Sequence, residues 1–163
     1  MRLASISAAR LFLVGVLLPL AAVGTALVTQ HVFEMQPCAW CVLQRLIFVA
    51  ISLAALLGLV GQGLRGAFVR RAGAALMGLL ALAGISAALW QHFVASSSTS
   101  CNLSLADRIV SGIGADALWP EVFAAYASCA DAAAKLLGVS YEFYSLTIFV
   151  VLAALSLVLL RRG

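Results

Sequence analysis

Charged side chains are scarce in this chain of 163 residues, which has 10 basic and 6 acidic residues while 64% of its residues are hydrophobic. Its mean hydropathy is +1.12. Intrinsic disorder is excluded, because disordered segments combine low hydrophobicity with high charge. An ordinary water-soluble domain is disfavoured, since a chain this short leaves about 30% of its unfolded surface exposed and these few charges cannot cover it. The composition therefore predicts that lipid surrounds much of the protein.

Four long apolar runs occupy residues 11–28, 42–60, 72–90 and 145–160. As helices they would reach about 23 to 29 Å, close to the roughly 30 Å thickness of a bilayer's hydrocarbon core. None shows the period-two alternation of a strand. The sequence predicts an all-α membrane protein, a bundle of four transmembrane helices forming one domain over 1–163, with loops at 29–41 and 91–144.

The first run has an alternative interpretation as a cleaved signal peptide. Arg2 and Arg10 precede it, and the small residues Gly24-Thr25-Ala26 resemble a cleavage site. The run is longer than the apolar centre of a typical signal peptide, which favours a retained helix.

Basic residues are concentrated on one side of the predicted membrane. That side carries Arg2, Arg10, Arg65, Arg70, Arg71, Arg161 and Arg162. All six acids fall in the other two loops: Glu34, Asp107, Asp116, Glu121, Asp131 and Glu142. The positive-inside rule then predicts that both termini are cytoplasmic. Because the basic charge is explained by topology, binding to nucleic acid is not expected.

All four cysteines lie on the opposite side from these seven basic residues. Cys38 and Cys41 are at the start of the second run, and Cys101 and Cys129 are in the long loop. In a bacterium this side would be the periplasm, where disulfides persist. The long loop also contains the polar stretch 96–100, which we expect to be flexible. Its later aromatic residues, between Trp119 and Tyr126, have a spacing that predicts an amphipathic helix, either in the membrane interface or packed on the bundle.

The segment Pro37-Cys38-Ala39-Trp40-Cys41 places a C-x-x-C pair at a helix start, where a thiolate is stabilised. Arg45 follows on the same helical face, one turn beyond Cys41. A charge inside the membrane is a functional-site hypothesis by default. The alternative is that Arg45 snorkels to the interface.

A C-x-x-C pair alone is compatible with several functions. A thioredoxin-like fold would need a βαβ context that the sequence lacks. A metal site could use Cys38, Cys41, His31 and His92, and two purely structural disulfides are also possible. A redox relay is the third interpretation: the loop pair would take electrons from a soluble dithiol and pass them to the helix pair by thiol–disulfide exchange. A lipid-soluble two-electron acceptor, a quinone, would then remove them, and no C-x-x-C-H haem motif competes.

The chain resembles the DsbB family, the bacterial inner-membrane disulfide bond formation proteins, over nearly its whole length. The matching motifs are Gln30-His31-Val32, Pro37-Cys38-x-x-Cys41, Arg45, Trp119-Pro120 with Val122-Phe123, and Cys129. The resemblance implies a dithiol:quinone oxidoreductase that reoxidises DsbA, a periplasmic dithiol oxidase with a thioredoxin fold. Ubiquinone, or menaquinone without oxygen, would be the acceptor.

The resemblance also implies a role for each cysteine. Cys101 would form the mixed disulfide with DsbA, and Cys129 would be its partner in the loop disulfide. Cys38 would receive the attack from the loop pair, and Cys41 would lie against the quinone.

Two further residues would serve the quinone, with Arg45 holding it and His92 lying near its ring. His31 is expected to be structural. The chain departs from the family's best-known members at Ala39-Trp40, which is a bulkier pair, and at Gln44, where those members carry an acid. The segment between His92 and Cys101 is also short.

Overall fold

Four long helices dominate the computed structural model, which describes residues 7–64, 66–95, 104–132, 135–136 and 138–162. They are α1 (Ala8–Val32), α2 (Ala39–Gly63), α3 (Ala67–Phe93) and α7 (Tyr141–Arg161). Each is long and apolar enough to cross a membrane, so the predicted all-α bundle of four membrane helices is confirmed. Each helix contains its predicted apolar run and extends beyond it at both ends, because polar residues continue the helical hydrogen bonds past the apolar part.

The long connection between α3 and α7 contains short elements. They are α4 (Leu105–Ile113), α5 (Ala115–Leu118), α6 (Pro120–Phe123) and an antiparallel hairpin of β1 (Lys135–Leu136) and β2 (Val139–Ser140). A capping box of Ser104 and Asp107 begins α4, and Gly114, at φ 75°, ends it. This positive φ suits glycine because it has no Cβ.

The amphipathic helix predicted between Trp119 and Tyr126 is only one turn long. Pro120 begins α6, as expected of a residue without a backbone N–H, and Ala124 is already extended with ψ 140°. Phe123 is buried while Trp119 and Tyr126 are exposed. The turn therefore packs through Phe123 and the half-buried Val122, and the longer helix in this region is α4.

The membrane helices form a closed arrangement in which α2 contacts α1 and α3, and α7 contacts α3 and, less extensively, α1. Five large side chains at the centre have no exposed surface: Phe12, Ile51, Met77, Phe149 and Leu152. The rings of Phe48 and Phe149 stack with their centroids 4.1 Å apart. Leucines and valines on the outer faces are exposed, which is the pattern expected of a bundle whose solvent is lipid.

Close contact between α2 and α3 depends on glycine. A Cβ atom at Gly73 of α3 would lie 2.6 Å from the backbone nitrogen of Gly58 in α2. A Cβ atom at Gly58 would in turn overlap the ring of Phe12 in α1. Small residues let helix backbones approach in this way within membranes. Gly61, Gly63 and Gly66 have the G-x-G-x-x-G spacing of a dinucleotide-binding loop, but here they end one long helix and precede the next, without a preceding strand among the described residues.

The two connections that carry the cysteines meet at one end of the bundle, which we call the thiol end. The backbone N–H groups of Tyr126 and Ala127 donate to the carbonyl oxygen of Pro37, at 3.0 and 3.3 Å. Cys38 and Ala127 also form a parallel β-bridge. These contacts, the Pro37 clasp, fix the long connection beside the start of α2.

Candidate active site

Cys38 and Cys41 are adjacent at the start of α2. Cys38 is the N-cap residue, with extended backbone angles, and Cys41 lies within the first turn. Their Sγ atoms are 3.0 Å apart. Cys38 is wholly buried, whereas Cys41 is partly exposed. The predicted C-x-x-C pair is therefore close enough to form a disulfide with little movement.

Cys129 of the long connection contacts Cys38. The pKa of the Cys38 thiol is raised, first because a hydrogen bond to Cys129 holds its proton, and then because of its hydrogen bond to Cys41 and its burial. The same hydrogen bond from Cys38 lowers the pKa of Cys129 by stabilising its thiolate, against the opposing effect of burial. Cys129 is consequently the better nucleophile of the two, and Cys38 is the sulfur within its reach. Cys101 lies outside the described residues.

Two buried glutamines connect α2 and α3 beside Cys41. The side-chain amide of Gln91 donates to the sulfur of Cys41 at 3.2 Å. The amide of Gln44 donates to the Gln91 oxygen at 2.7 Å, which fixes the orientation of that group. A donor aimed at the sulfur stabilises its thiolate form without adding a charge.

Arg45 is buried, with 6% of its surface exposed. Its guanidinium donates to the side-chain oxygen of Gln30 at 2.6 Å and to the carbonyl oxygens of Val122 at 3.0 Å and Ala26 at 3.3 Å. These partners are neutral, and no carboxylate in the described part of the chain forms an ion pair with it. Arg45 therefore stays inside the bundle rather than snorkelling, and its positive charge is available to an anion.

A chamber of about 290 Å³ lies among α1, α2, α3 and α7. Cys41 and Arg45 both line it, together with Gln44, Gln91 and Glu142. The rest of its wall is mostly apolar and comes from α1, α2 and α7, including Leu18, Ala22, Phe48 and Ile148. The volume is near the lower end of the range of about 300–1,000 Å³ for small-molecule sites. The chamber thus joins a thiol, a cation and an apolar surface in one site.

His92 does not line this chamber but contacts a residue that does. Its Nδ1 atom lies 2.8 Å from Oε1 of Glu142, whose side chain is nearly buried. The His92 ring also packs against Phe143, with centroids 4.7 Å apart. His92 therefore lies behind Glu142, which forms part of the chamber wall, and its position near a quinone ring stays a prediction.

A second recess, of about 720 Å³, lies on the other side of α2 and is lined by Trp40, Trp90 and Ile109 among others. It is larger, and the described residues that line it include no cysteine and no charged side chain. Among the described residues, no three His, Cys, Asp or Glu side chains are grouped as metal ligands. His31 is exposed and is not brought to the thiols.

Sequence reasoning found Cys38, Cys41, Cys129 and Arg45 but missed Gln91 and Glu142, and it assigned no role to Gln30. All three are polar residues at or near the ends of apolar runs, and this position could have marked them as candidates for a site at that end of the bundle. Their partners lie 15 to 50 positions away in the chain, however, so the sequence did not indicate which groups they meet.

Comparisons with known proteins identify the family of this chain. Residues 8–159 match the family described as disulfide bond formation protein DsbB. A "Disulfide bond formation protein B" of Aromatoleum aromaticum is 36% identical over 143 residues, covering 85% of this chain and 84% of that protein. "Disulfide bond formation protein B 1" of Pseudomonas aeruginosa is 34% identical over 159 residues, covering 94% and 96%.

A third relative, from Herminiimonas arsenicoxydans, is 34% identical over 129 residues, covering 78% of this chain and 79% of that protein. The match extends over all four membrane helices and the described cysteines. It implies that the chain is a membrane protein of disulfide bond formation with thiol oxidoreductase activity. The chain belongs to the DsbB family of disulfide bond formation proteins.

Proposed function

We propose that this protein transfers electrons from a periplasmic DsbA-like dithiol oxidase to a membrane quinone, and so drives disulfide formation in periplasmic proteins. One observation carries the proposal: the sulfur of Cys41 and the buried, unpaired charge of Arg45 line the same apolar chamber. A thiol that must react with a lipid-soluble acceptor needs this combination of a sulfur, a cation and an apolar wall.

The chamber fits the head group of ubiquinone or menaquinone. Such a group is an apolar ring with oxygens that become negative during reduction, and a bound quinone would accept two electrons and two protons there. Arg45 would hold and polarise a ring oxygen, as buried cations stabilise developing negative charge. The apolar side chains of α1 and α7 would bind the ring faces and the start of the tail.

The relay begins at the long connection. A thiolate of the partner attacks Cys101 of a Cys101–Cys129 disulfide, forming a mixed disulfide and releasing Cys129 as a thiolate. Cys129 then attacks Cys38 of a Cys38–Cys41 disulfide, which forms a Cys38–Cys129 bond and releases Cys41 as a thiolate in the chamber. The packing of Cys129 against the cluster that contains Cys38 supports this step.

Two further exchanges complete the cycle. The second partner thiolate attacks the mixed disulfide, so the partner leaves oxidised and Cys101 is released. Cys101 attacks Cys129 in the Cys38–Cys129 bond, which restores the loop disulfide and releases Cys38. The thiolates of Cys38 and Cys41 then give two electrons to the acceptor and form their own disulfide again. Gln91 would hold the sulfur of Cys41 in place and stabilise its charged form throughout.

The direction of electron flow also supports a quinone. DsbA-type oxidases have potentials near about −120 mV, well above the glutathione pool. Their reoxidation requires a still stronger oxidant, which respiratory quinones can supply. We place the protein in the bacterial inner membrane with the thiol end in the periplasm, on the strength of the basic residues at the opposite ends of the helices.

Anaerobic mixing of the purified protein, reduced DsbA-like partner and a soluble ubiquinone analogue tests the proposal. We expect quinone absorbance to fall in step with oxidation of the partner, and neither change when the protein is omitted. Cys38→Ser and Cys41→Ser should each abolish turnover. Absence of quinone reduction by the unmodified protein would refute the function, and full activity of either variant would refute the relay.

A further inference from the structure

Glu142 is the one carboxyl group among the described residues that line the chamber. It lies in the first turn of α7 and is 8% exposed. The thiol relay described above gives it no task. Burial of a carboxyl group is costly unless it has a partner, so its partner and position deserve an explanation.

His92 connects this carboxyl group to the aqueous surface. Nδ1 of His92 lies 2.8 Å from Oε1 of Glu142. Of the side chains alone, 32% of His92 is exposed and 10% of Glu142. Whether the pair is an ion pair or a neutral acid and imidazole, a proton lies between Nδ1 and Oε1. The structure thus has a proton-carrying pair with one member in the chamber and the other near water.

Reduction of a quinone requires such protons inside the chamber. Oxidation of the Cys38 and Cys41 thiols supplies two electrons, but it supplies no proton inside the chamber. Cys38 does not line the chamber, so the proton that it holds leaves on the side of Cys129, and Cys41 has lost its proton before it reacts. Arg45 does not release a proton at physiological pH. The two protons that end on the ring oxygens must therefore come from another group that reaches the chamber.

We propose that Glu142 is the catalytic acid of quinone reduction and that His92 reprotonates it from the aqueous surface; this rests on the proposed function. For each ring oxygen, the Glu142 carboxyl gives one proton and becomes a carboxylate. His92 then passes it a proton and takes one up from water. Two such cycles balance the two electrons from the thiolates and yield one quinol and one Cys38–Cys41 disulfide.

The surroundings of Glu142 suit proton transfer. The titratable and charged groups that face the chamber with it come from α2 and from its own helix, and His92 comes from α3. They are Cys41, Arg45, Tyr141 and Tyr144, while the described wall residues of α1 are uncharged. The positive charge of Arg45 favours the carboxylate that forms when the proton leaves. The hydroxyl of Tyr141 lies 3.4 Å from that of Thr29, so Tyr141 has a hydrogen-bond partner other than Glu142.

A structural role is the competing explanation, since an acid in the first turn of a helix stabilises the helix dipole. Glu142→Gln separates the two roles because it keeps the shape and removes the transferable proton. In single turnovers of fully reduced protein with a ubiquinone analogue, we expect the variant to reduce quinone about 100-fold more slowly, in the range of general acid catalysis. Its Kd for the quinone analogue should stay within about twofold.

Two matched variants complete the kinetic experiment. Glu34→Gln makes the same change at an exposed position in the connection between α1 and α2 and should behave as the unmodified protein. His92→Gln should slow the reaction by a smaller factor, because water then reaches Glu142 without its relay, and it tests the proposal independently if Glu142→Gln fails to fold.

Infrared difference spectra give a measurement that does not depend on rate. On quinone reduction, the unmodified protein and Glu34→Gln should show a change in a carboxylic acid carbonyl band that Glu142→Gln lacks. If the unmodified protein reduces quinone and Glu142→Gln does so at the same rate, the acid role is overturned. If the unmodified protein does not reduce quinone at all, the proposed function itself fails.

Discussion

At the scale of single residues, the three described cysteines differ in chemistry although they are in contact. Cys38 retains its proton because it donates to Cys129, and Cys129 becomes the more acidic thiol for the same reason. Thiolates, not thiols, attack disulfides. In the reduced protein, this hydrogen bond makes Cys129 the more reactive of the two thiols.

This assignment predicts the pH dependence of Cys129 alkylation. In the reduced protein, Cys129 should react with iodoacetamide at lower pH than an ordinary cysteine, because its pKa is lowered. Cys38→Ala removes the donor, so the reaction profile of Cys129 should move to higher pH. Mass spectrometry of the labelled peptide measures both profiles. Ser128→Ala, at the neighbouring position, should leave the profile in place, and an unmoved profile in Cys38→Ala would contradict the assignment.

Gln91 provides a second prediction at this scale. A hydrogen bond to a charged group contributes about 1.5–3 kcal/mol, so Gln91→Leu should slow alkylation of Cys41 at pH 7 by about 10- to 100-fold. The measurement uses a Cys38→Ser background, in which Cys41 cannot form its disulfide. Gln36→Leu, at an exposed position of the short connection, is the control. Equal reactivity in all three proteins would show that the amide does not act on the sulfur.

At the scale of the elements, contact between α2 and α3 holds Gln44, Gln91 and Cys41 together. Gly73 of α3, which lies against the backbone of Gly58 in α2, permits this contact. Gly73→Ala should therefore force the helices apart and destabilise the detergent-solubilised protein by about 1–3 kcal/mol, the usual range for overpacking. Gly24→Ala is the matched control, because nothing lies within 4 Å of a Cβ at that position. Thermal unfolding of both variants checks the difference, and equal Tm values would contradict it.

The elements also show where sequence reasoning succeeded and where it stopped. The four membrane helices were predictable because a long apolar run has few alternatives to a helix in lipid. Helical spacing placed Cys41 and Arg45 on one face, and both line the chamber, whereas Cys38 is the extended N-cap residue of α2. The helix expected between Trp119 and Tyr126 was too long, because Pro120 can begin a helix there while the backbone extends again at Ala124.

The contacts that complete the site could not be predicted in the same way. Gln91 meets Cys41, and His92 meets Glu142, only because α3 lies between α2 and α7. The order of helices around a bundle depends on packing between residues far apart in the chain. Periodicity within one helix contains no such information.

At the scale of the whole molecule, the distribution of basic residues predicts the orientation in the membrane. Alkaline phosphatase fused after Gly163 should remain inactive, because the enzyme folds only in the periplasm and the C-terminus is predicted to be cytoplasmic. The same reporter fused after Ala132, in the long connection, should be active. Activity assays on intact cells distinguish the two orientations, and an active C-terminal fusion would refute the proposed topology.

The Pro37 clasp has a kinetic consequence for the whole protein. Two backbone hydrogen bonds hold the chain segment next to Cys129 against the start of α2, so its sulfur meets Cys38 as an intramolecular neighbour. Tethering of this kind gives effective concentrations in the millimolar range or above. Small-molecule thiols such as glutathione would then compete poorly for Cys38, and the electrons that enter through the loop would leave through the chamber without being diverted.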